Sequence, residues 1–473
     1  MTQTTIKVDI CVIGAGSGGL SVAAGASQMG AKVALIERAR MGGDCLNYGC
    51  VPSKALIAAA HAAHAMCGAD KFGIASVTPA VDYAALRDHI RGVIAAIEPN
   101  DSVERFTALG VQVIQAAARF TGPTEIEAGD IRVQARRFVI ATGSAPLAPP
   151  IPGLKATPYF TNETIFDLDR RPEHLIVIGG GPIGAELAQA HRRLGARVTI
   201  VEMFEFLGKD DPELTAVIRR RFAVEGIDIR EGTAVNALEA DGDGVIVTVG
   251  ESGERISGSH LLVAAGRQPN LEGLNLDAAG VAHDATGITV DRRLRTANRR
   301  IFAIGDVTGG YQFTHMAGYD AGIVLRNILF RLPSKTNHRA VPWVTFTDPE
   351  LATVGQTEAQ AMAQGGKGIT ILRWPFHDND RAQAERDTQG LIKVVLDKSG
   401  RVLGAGIAGP RAGELILPWI LAVGARQKIG PLAGVIAPYP TLSEISKRAA
   451  GSYYTPKLFS ERTRKIVRFL LKF

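Results

Sequence analysis

Two cysteines separated by four residues are the first groups in this sequence whose spacing suggests chemistry. Cys45 and Cys50 stand in GGDCLNYGCVPSK, and an alanine-rich segment typical of a helix follows directly. A helix N-terminus stabilises a thiolate and lowers its pKa, as a redox-active pair requires. The spacing is only half of a metal site, since Cys11 and Cys67 are far away in the sequence. We therefore interpret Cys45 and Cys50 as a redox-active pair.

The other two cysteines have simpler interpretations. Cys11 lies inside an apolar strand-like run, so we expect a small core residue. His61, His64 and Cys67 share one helical face at i, i+3 and i+6, which leaves a metal site open as an alternative. No carboxylate or fourth ligand lies nearby in the sequence, so we favour packing and predict no metal site.

A tyrosine near the end of the chain is the third group of interest. Tyr439 stands in APYPTLSE, five residues before Glu444. Redox chemistry at sulfur needs a group that moves protons, and a phenol with a pKa of about 10 is a poor base at neutral pH. Histidine is the ordinary choice, but the nearest one, His377, is 62 residues upstream. Tyr439 can still donate a hydrogen bond to a thiolate, or contact a metal ion or an aromatic substrate.

A β-α-β pattern that positions such groups occurs twice. Each copy has a β-branched run, GxGxxG, a small-residue helix, a second β-branched run and a terminal glutamate, 23 positions after the first glycine. The recurrence of the whole pattern makes incidental glycines a poor explanation. The copies are VDICVIGAGSGGLSVAAGASQMGAKVALIE (8–37) and EHLIVIGGGPIGAELAQAHRRLGARVTIVE (173–202).

Each position in this pattern has a distinct expected role in binding a dinucleotide. The first glycine allows a tight turn, the second lets a pyrophosphate approach backbone N–H groups, and the third permits close packing of helix on strand. The terminal glutamate accepts hydrogen bonds from a ribose. These residues are Gly14, Gly16, Gly19 and Glu37 in the first copy, and Gly179, Gly181, Gly184 and Glu202 in the second.

Two dinucleotide sites in one chain indicate two dinucleotides that exchange electrons, with a flavin as the natural intermediary to a nicotinamide. Glu202 would repel a 2′-phosphate, and the following MFEFLG contains no arginine to bind one. The sequence therefore favours NADH over NADPH.

Length and composition indicate a soluble globular protein of roughly three domains. The 473 residues are 46% hydrophobic and 21% charged, no uncharged apolar run reaches the length of a membrane span, and MTQTTIKVDICVIGAG has no signal-peptide pattern. We expect a cytoplasmic location. The net charge of +6 is concentrated at the end of the chain, so the nearly neutral body gives no sign of a nucleic-acid-binding surface.

The basic end of the chain predicts an amphipathic helix. Residues 452–473 contain six basic residues and one acid, and Ser460 is a plausible N-cap. Apolar residues recur at i, i+3, i+4 and i+7 from Ile466 to Phe473. One alternative is a helix docked on the body, which we favour slightly because the segment 460–473 is short. The other is an anchor at a membrane surface, which would make a quinone or a membrane partner a candidate acceptor.

From end to end, the motifs resemble the FAD-dependent pyridine nucleotide-disulfide oxidoreductases, which include dihydrolipoamide dehydrogenase, glutathione reductase and mercuric reductase. The resemblance covers about residues 6–450. It implies an α/β fold with two Rossmann-like domains, for FAD and NAD, and a C-terminal α+β dimerisation domain. Besides the glycine motifs, the sequences that carry it are GGxCxNxGCxPSK, ATGS, AxGRxPN, a Gly-Asp strand and PTLSE. We place a first FAD-binding part at 1–150, an NAD-binding domain at 151–270, a return to the FAD or central domain at 271–335, a dimerisation domain at 341–450 and a basic tail at 451–473.

The resemblance also implies roles for individual residues. Cys50 would be the cysteine nearest the flavin and form the charge-transfer thiolate, and Cys45 would attack the substrate. Lys54 and Glu186 match the ion pair beside the flavin ring. Asp44 stands where threonine is common. Further cofactor contacts would come from Thr142, Gly143, Gly266, Gly305, Asp306 and Ala317.

Tyr439 departs from the disulfide-reducing members of the family. In those members a histidine occupies this position, acts as acid–base across a homodimer interface and is oriented by the acid that matches Glu444. Mercuric reductase resembles this chain in having tyrosine in that region. It also uses C-terminal cysteines to deliver the metal, and this chain has none after Cys67 and lacks an N-terminal CxxC module. A simpler alternative is that Tyr439 only packs in the interface.

Three functions therefore compete. The first is a homodimeric flavoenzyme passing electrons from NADH through FAD and Cys45–Cys50 to a thiol, disulfide or thiol-bound metal ion. The second is an NADH dehydrogenase or diaphorase that reduces quinone or oxygen from the flavin, with accessory cysteines. The third is a lipid- or partner-binding protein with a vestigial redox site, which the intact Lys54 and Glu186 disfavour.

Overall fold

The first third of the chain begins with a β-α-β unit, followed by a group of helices and then a group of strands, in the computed structural model, which describes residues 4–473. In chain order the elements are β1 (Thr4–Ile13), α1 (Ser17–Gln28), β2 (Val33–Glu37), α2 (Gly43–Asn47), α3 (Cys50–Cys67), α4 (Tyr83–Ile97), α5 (Val103–Ala108), β3 (Val111–Gln115), β4 (Ala118–Gly122), β5 (Glu125–Ala128), β6 (Ile131–Ile140) and β7 (Ser144–Pro146). β1, β2, β3 and β6 pair in parallel, and β4 and β5 continue the sheet antiparallel beyond β6.

Both faces of this first sheet are buried. Along β1, Ile10 and Val12 pack in one apolar cluster, whereas Cys11 and Ile13 pack in a second. A strand covered on both faces needs a continuous apolar run, and this is what β1 contains. Cys11 is fully buried, so its prediction as a core residue is confirmed.

The second glycine motif builds an equivalent sheet. The elements are β8 (His174–Ile178), α6 (Pro182–Arg193), β9 (Arg197–Val201), α7 (Pro212–Glu225), β10 (Asp228–Arg230), β11 (Val235–Asp241), β12 (Gly244–Val249), β13 (Glu254–Gly258), β14 (His260–Val263) and β15 (Arg267–Pro269). The parallel order β10-β9-β8-β14 repeats the order β3-β2-β1-β6 of the first sheet. β11, β12 and β13 form a separate antiparallel sheet, and β15 pairs with β7.

The chain then returns to the first sheet before it enters a different kind of domain. β16 (His283–Asp284), β17 (Gly287–Ile288), β18 (Ile301–Ala303) and α8 (Thr314–Leu329) come first, and β18 joins the first sheet beside β6. The C-terminal part contains β19 (Pro342–Thr345), β20 (Glu350–Gly355), α9 (Glu358–Gly365), β21 (Thr370–Pro375), α10 (Asp380–Glu385), β22 (Leu391–Leu396), β23 (Val402–Gly409), α11 (Ala412–Leu415), α12 (Leu417–Gly424), α13 (Gly430–Gly434), α14 (Glu444–Ser452), α15 (Thr455–Leu458) and α16 (Glu461–Leu470). Its strands form one antiparallel sheet, β19-β20-β23-β22-β21.

The last helix differs from its expected packing. Ser460 caps α16 as predicted, because its side chain accepts a hydrogen bond from the Thr463 N–H. No residue of α16 is buried, however, so the interpretation we favoured, a helix docked on the body of its own chain, is wrong. Nor does any helix in the described range combine the length and apolar character that a membrane crossing needs.

Candidate active site

The first glycine of each motif adopts the backbone conformation that the tight turn needs. Gly14 has φ +101° and Gly179 has φ +109°, values that favour glycine strongly. In each case an added Cβ would also overlap a backbone carbonyl, of Ala141 and of Ala264. The two turns are therefore restricted to glycine by the same pair of constraints.

The second and third glycines of each motif differ in how much space a side chain would have at their Cα atoms. A Cβ on Gly19 or Gly184 would overlap the carbonyl oxygen of the first glycine, so both are needed for close packing of the helix on the turn. In contrast, a Cβ on Gly181 would meet no atom within 4 Å, and one on Gly16 would meet only Gly43 at 3.9 Å. The middle glycines thus face open space at the N-termini of α1 and α6, where a phosphate group is favoured.

The two terminal glutamates make matching hydrogen bonds. The Glu37 carboxylate accepts from the Ala15 N–H at 2.7 Å, and the Glu202 carboxylate accepts from the Gly180 N–H at 2.6 Å. Each carboxylate is thereby held beside its glycine turn. This arrangement fits an acceptor for ribose hydroxyl groups.

One connected cleft joins both turns to the cysteines. Its volume is about 2250 Å³, well above the upper end of roughly 1000 Å³ for ordinary ligand pockets. Gly19 and Gly184 lie in the first turns of α1 and α6, packed against the glycine turns, and neither these two residues nor Tyr439 and Glu444 line the cleft. The predicted site residues that line it are Gly14, Gly16, Glu37, Cys45, Cys50, Lys54, Thr142, Gly143, Gly179, Gly181, Glu186, Glu202, Gly266, Gly305, Asp306 and Ala317.

Cys50 lies between the beginnings of two helices. It is the first residue of α3, and its Sγ is 3.5 Å from the hydroxyl of Thr314, the first residue of α8. Both cysteines of the pair are free thiols in this structure. A hydrogen bond from the Cys45 thiol, together with the Thr314 hydroxyl and the Lys54 charge, lowers the pKa of Cys50 to about 6, against the opposing effects of burial and of the Glu186 charge. The same hydrogen bond and burial raise the pKa of Cys45. The reduced pair thus keeps its thiolate on Cys50 and its proton on Cys45.

An ion pair stands one helical turn from this thiolate. Lys54 follows Cys50 by four residues, and its Nζ is 2.7 Å from a carboxylate oxygen of Glu186 on α6. The other Glu186 oxygen accepts from the Phe346 N–H at 2.9 Å, and the Phe346 ring lies 4.4 Å below Nζ. The side chain of Glu186 is only 7% exposed, so these partners offset the free-energy cost of burying its carboxylate.

A polar network that the sequence did not predict connects Asp44, in the cysteine segment, with Arg267 on β15, Ser144 on β7 and Asp306. Asp44 forms an ion pair with Arg267 at 3.2 Å. Arg267 donates to the Ser144 hydroxyl at 2.7 Å, and Ser144 donates to the Asp306 carboxylate at 2.6 Å. Burial raises the pKa of Asp306, while the Ser144 hydrogen bond opposes that shift. Asp44 departs from the family pattern and Arg267 lies in the AxGRxPN motif, but the two residues are too far apart in the sequence for their contact to be inferred.

Tyr439 and Glu444 lie apart from the cysteines of their own chain. Tyr439 is 70% exposed, and its hydroxyl donates to a carboxylate oxygen of Asp380 at 3.0 Å. This hydrogen bond raises the pKa of Tyr439, with a smaller contribution from the charge of Glu444, the first residue of α14. Asp380 is a partner that the sequence did not suggest. The shift leaves still less phenolate at neutral pH, so Tyr439 is less available as a base.

The histidine face of α3 does not assemble a metal site. Among residues 4–473, no group of three or more His, Cys, Asp or Glu side chains is close enough to hold a metal ion. Burial lowers the pKa of both His61 and His64.

The repeated parallel sheets, the paired glycine turns and the dithiol in their shared cleft define a nucleotide-dependent oxidoreductase. Residues 8–321 match the family model described as pyridine nucleotide-disulphide oxidoreductase, and residues 341–450 match that family's dimerisation domain. The chain belongs to the pyridine nucleotide-disulphide oxidoreductase family. It is thus a flavoprotein with FAD and NAD(P) as its cofactors and with a dimerisation domain that supports a homodimer.

Similar proteins carry more than one specific activity. A mercuric reductase from Streptomyces lividans is 37% identical over 96% of this chain and 98% of its own length. A dihydrolipoyl dehydrogenase from Thermus scotoductus is also 37% identical, over 93% of this chain and 96% of its own. Among solved structures, a Cu(II) complex of the HOCl-induced flavoprotein disulfide reductase RclA from Escherichia coli has a TM-score of 0.85 at 29% identity, covering 93% of this chain and 99% of that one. LpdA from Mycobacterium tuberculosis has a TM-score of 0.86 at 29% identity, covering 94% and 100%.

Proposed function

We propose that this protein transfers electrons from NADH, through FAD and the Cys45–Cys50 pair, to a metal ion bound by thiols. One observation carries the cysteine route: the dithiol and the Lys54–Glu186 ion pair stand in the same cleft as both nucleotide turns. A disulfide is the competing acceptor. Reduction of quinone or oxygen directly from the flavin has no comparable structural support.

The residues of the first domain fit FAD. The open space above Gly16 and the fixed carboxylate of Glu37 suit a pyrophosphate and a ribose, and Thr142, Gly143 and Asp306 line the same cleft. FAD supplies two-electron transfer between a nicotinamide and a disulfide when it is bound. Gly305 and Ala317 would complete its site, and Gly266 would belong to the nicotinamide nucleotide.

The cysteine pair accounts for the electrons and one proton. Two electrons and one proton convert the Cys45–Cys50 disulfide into a thiolate at Cys50 and a thiol at Cys45, the distribution that the pKa directions favour. Cys45 is then the thiol that exchanges with the substrate, since the charge beside Lys54 stays on Cys50. The electrostatic field of Lys54 holds that charge without a separate base.

The nature of Tyr439 favours a metal ion over a disulfide. Disulfide exchange needs a group that moves protons to and from sulfur, and the raised pKa of Tyr439 makes it poorly suited to that task. Reduction of a divalent ion consumes the two electrons of NADH and releases two thiolates, which take one proton from NADH oxidation and one from solvent. Relatives named as mercuric reductases and the Cu(II) complex of a structural neighbour support this substrate class. Because no cysteine follows Cys67, the ion would arrive on small thiols rather than on the tail.

A second subunit would complete the site. Tyr439 and Glu444 are exposed or partly exposed on the dimerisation domain, outside the cleft of their own chain. We infer that these residues of one subunit face the cysteines of the other. Asp380 would lie at the same interface, because its carboxylate accepts the hydrogen bond from the Tyr439 hydroxyl.

Two finer assignments complete the proposal. Glu202 would favour NADH by repelling a 2′-phosphate, although Lys209 also lines the cleft just beyond the six residues considered in the sequence. The domain limits remain those predicted from the sequence: 1–150 and 271–335 for FAD, 151–270 for NAD, and 341–450 for dimerisation.

Anaerobic turnover of NADH by the holoenzyme tests the substrate class. Thiol-ligated Hg(II), lipoamide and glutathione disulfide would be compared at matched concentrations, with NAD⁺ and the reduced product measured together. We expect turnover with the metal complex and little with either disulfide. Rapid turnover with lipoamide and none with the metal would reverse the proposal.

A further inference from the structure

The helix α16 presents an apolar face that nothing in its own chain covers. Ile466, Phe469, Leu470 and Phe473 are between 51% and 96% exposed. The rings of Phe469 and Phe473 contact each other edge to face, with centroids 5.4 Å apart. An exposed apolar row of this kind indicates a surface that is covered in the working protein.

Basic side chains occupy the opposite side of the same helix. With about 100° between successive residues, Arg464, Arg468 and Lys472 form a row whose centre lies about 150° around the helix from the centre of the apolar row. All three are exposed. The segment 452–473 carries six basic residues against one acid, Glu461, a net charge of +5.

The beginning of the helix is held by contacts within its own segment rather than by contacts with the body of the protein. Ser460 caps it, and the Thr463 hydroxyl donates to the Lys457 carbonyl at 2.8 Å. Within the described residues, the side-chain hydrogen bonds and ion pairs found for α16 stay between Lys457 and Arg464. The match to the dimerisation domain ends at residue 450, so the helix lies outside the region that the family model covers.

We propose that α16 and its flanking residues, 460–473, bind an anionic lipid surface. The apolar row enters the boundary between headgroups and acyl chains, and the basic row contacts lipid phosphates. Charge complementarity selects this occupant, since anionic lipid attracts a segment of charge +5. The proposal does not depend on the identity of the electron acceptor.

Co-sedimentation of the full-length holoenzyme with vesicles tests the proposal. One set of vesicles contains phosphatidylcholine alone, and the other contains equal parts of phosphatidylcholine and phosphatidylglycerol. We expect binding to the second set, weakening as salt is added because salt screens the charges. The triple variant Arg464→Gln, Arg468→Gln, Lys472→Gln should bind on the order of a hundredfold more weakly.

A matched control removes the same charge from elsewhere on the surface. The exposed residues Lys155, Arg299 and Lys398, each changed to glutamine, should leave vesicle binding unchanged. The variant Phe469→Ser, Leu470→Ser should lose binding and keep its dimeric mass in light scattering. NADH-dependent turnover without lipid should be the same in all variants, which separates this test from that of the redox function. The proposal is overturned if the wild type ignores both vesicles, or if Phe469→Ser, Leu470→Ser yields monomers, because the face then packs on a second copy.

Discussion

Cys50 lies between the first turns of α3 and α8 in a cleft that also contains Lys54, whereas Tyr439 projects from the loop before α14 with 70% of its surface exposed. The cysteine region has its charge partners within one chain: a thiol, a hydroxyl and an ammonium group stabilise the Cys50 thiolate. The tyrosine region instead contains two carboxylates, Asp380 and Glu444, and both raise the pKa of the phenol.

The two regions would have different tasks. The cysteine region would transfer electrons, and the tyrosine region would contribute to contact with the substrate. The groups that would receive electrons from the flavin follow the family pattern and are positioned by contacts inside one subunit. Tyr439, which would meet the substrate from the second subunit, departs from the pattern and lies on the dimerisation domain. We therefore expect a change of substrate class to arise from the second region, and the first three predictions below each act on one region while the other is held constant.

Removal of the exchanging thiol should have the largest effect. Cys45→Ser should lower turnover of the metal–thiol substrate on the order of a thousandfold, because no other thiol can attack it, while NADH still reduces the flavin. Stopped-flow absorbance and steady-state turnover measure the two steps. The control is Cys67→Ser, since Cys67 is exposed and outside the cleft, and this variant should behave as wild type. Retained turnover in Cys45→Ser would favour the dehydrogenase that reduces quinone or oxygen.

Restoring a histidine in the tyrosine region should have the next largest effect. Tyr439→His should raise turnover of lipoamide by about tenfold or more, because imidazole accepts and donates protons near neutral pH. Tyr439→Phe removes the hydroxyl without adding a base, so it should not raise lipoamide turnover. If Tyr439→His leaves lipoamide turnover unchanged, the tyrosine is not what restricts the substrate class.

The pH dependence of the Cys50 thiolate should change in opposite directions in two variants. The thiolate fraction should rise as pH increases through about 6, and it should fall as protonation proceeds below that value. Lys54→Met removes a charge that lowers the pKa, so the midpoint should rise by about one unit or less. Glu186→Gln removes a charge that raises the pKa, so the midpoint should fall. The measurement is the pH titration of the long-wavelength absorption that a thiolate gives beside oxidised FAD, and shifts in the same direction would contradict the electrostatic account.

The smallest predicted effect concerns the nicotinamide cofactor. Glu202→Ser should increase the ratio of NADPH to NADH efficiency by several-fold, because it removes a negative charge beside the expected position of the 2′ group. Ratios of kcat/KM for the two cofactors measure it. Glu37→Ser, the equivalent change in the FAD motif, is the matched control and should leave the ratio unchanged. An unchanged ratio in Glu202→Ser would assign cofactor choice to another residue, with Lys209 the first to test.

Local sequence patterns predicted the parts of this molecule that depend on local geometry. The turns at Gly14 and Gly179 follow from the restrictions on backbone conformation, and the i, i+4 spacing of Cys50 and Lys54 follows from the helical repeat. Motif order and family resemblance were sufficient for the mixed α/β fold.

Side-chain contacts between residues far apart in the sequence could not be predicted from the sequence alone. Arg267 meets Ser144 because β15 pairs with β7, and it meets Asp44 across a contact with α2, which is more than 200 residues earlier in the chain. Tyr439 meets Asp380 through the packing of the C-terminal domain. The exposure of α16 was mispredicted for a related reason. An amphipathic pattern indicates that a face is covered but does not identify the covering surface.

The most direct test of the central claim is an anaerobic titration of the holoenzyme with NADH, followed by rapid mixing with each acceptor. We predict a long-wavelength absorption from the Cys50 thiolate beside FAD that persists with lipoamide and glutathione disulfide and decays with thiol-ligated Hg(II). That result would place the departure from the family in substrate handling and leave electron transfer intact. If NADH reduces the flavin without producing this absorption, the cysteine pair is not on the electron path, and the account is wrong.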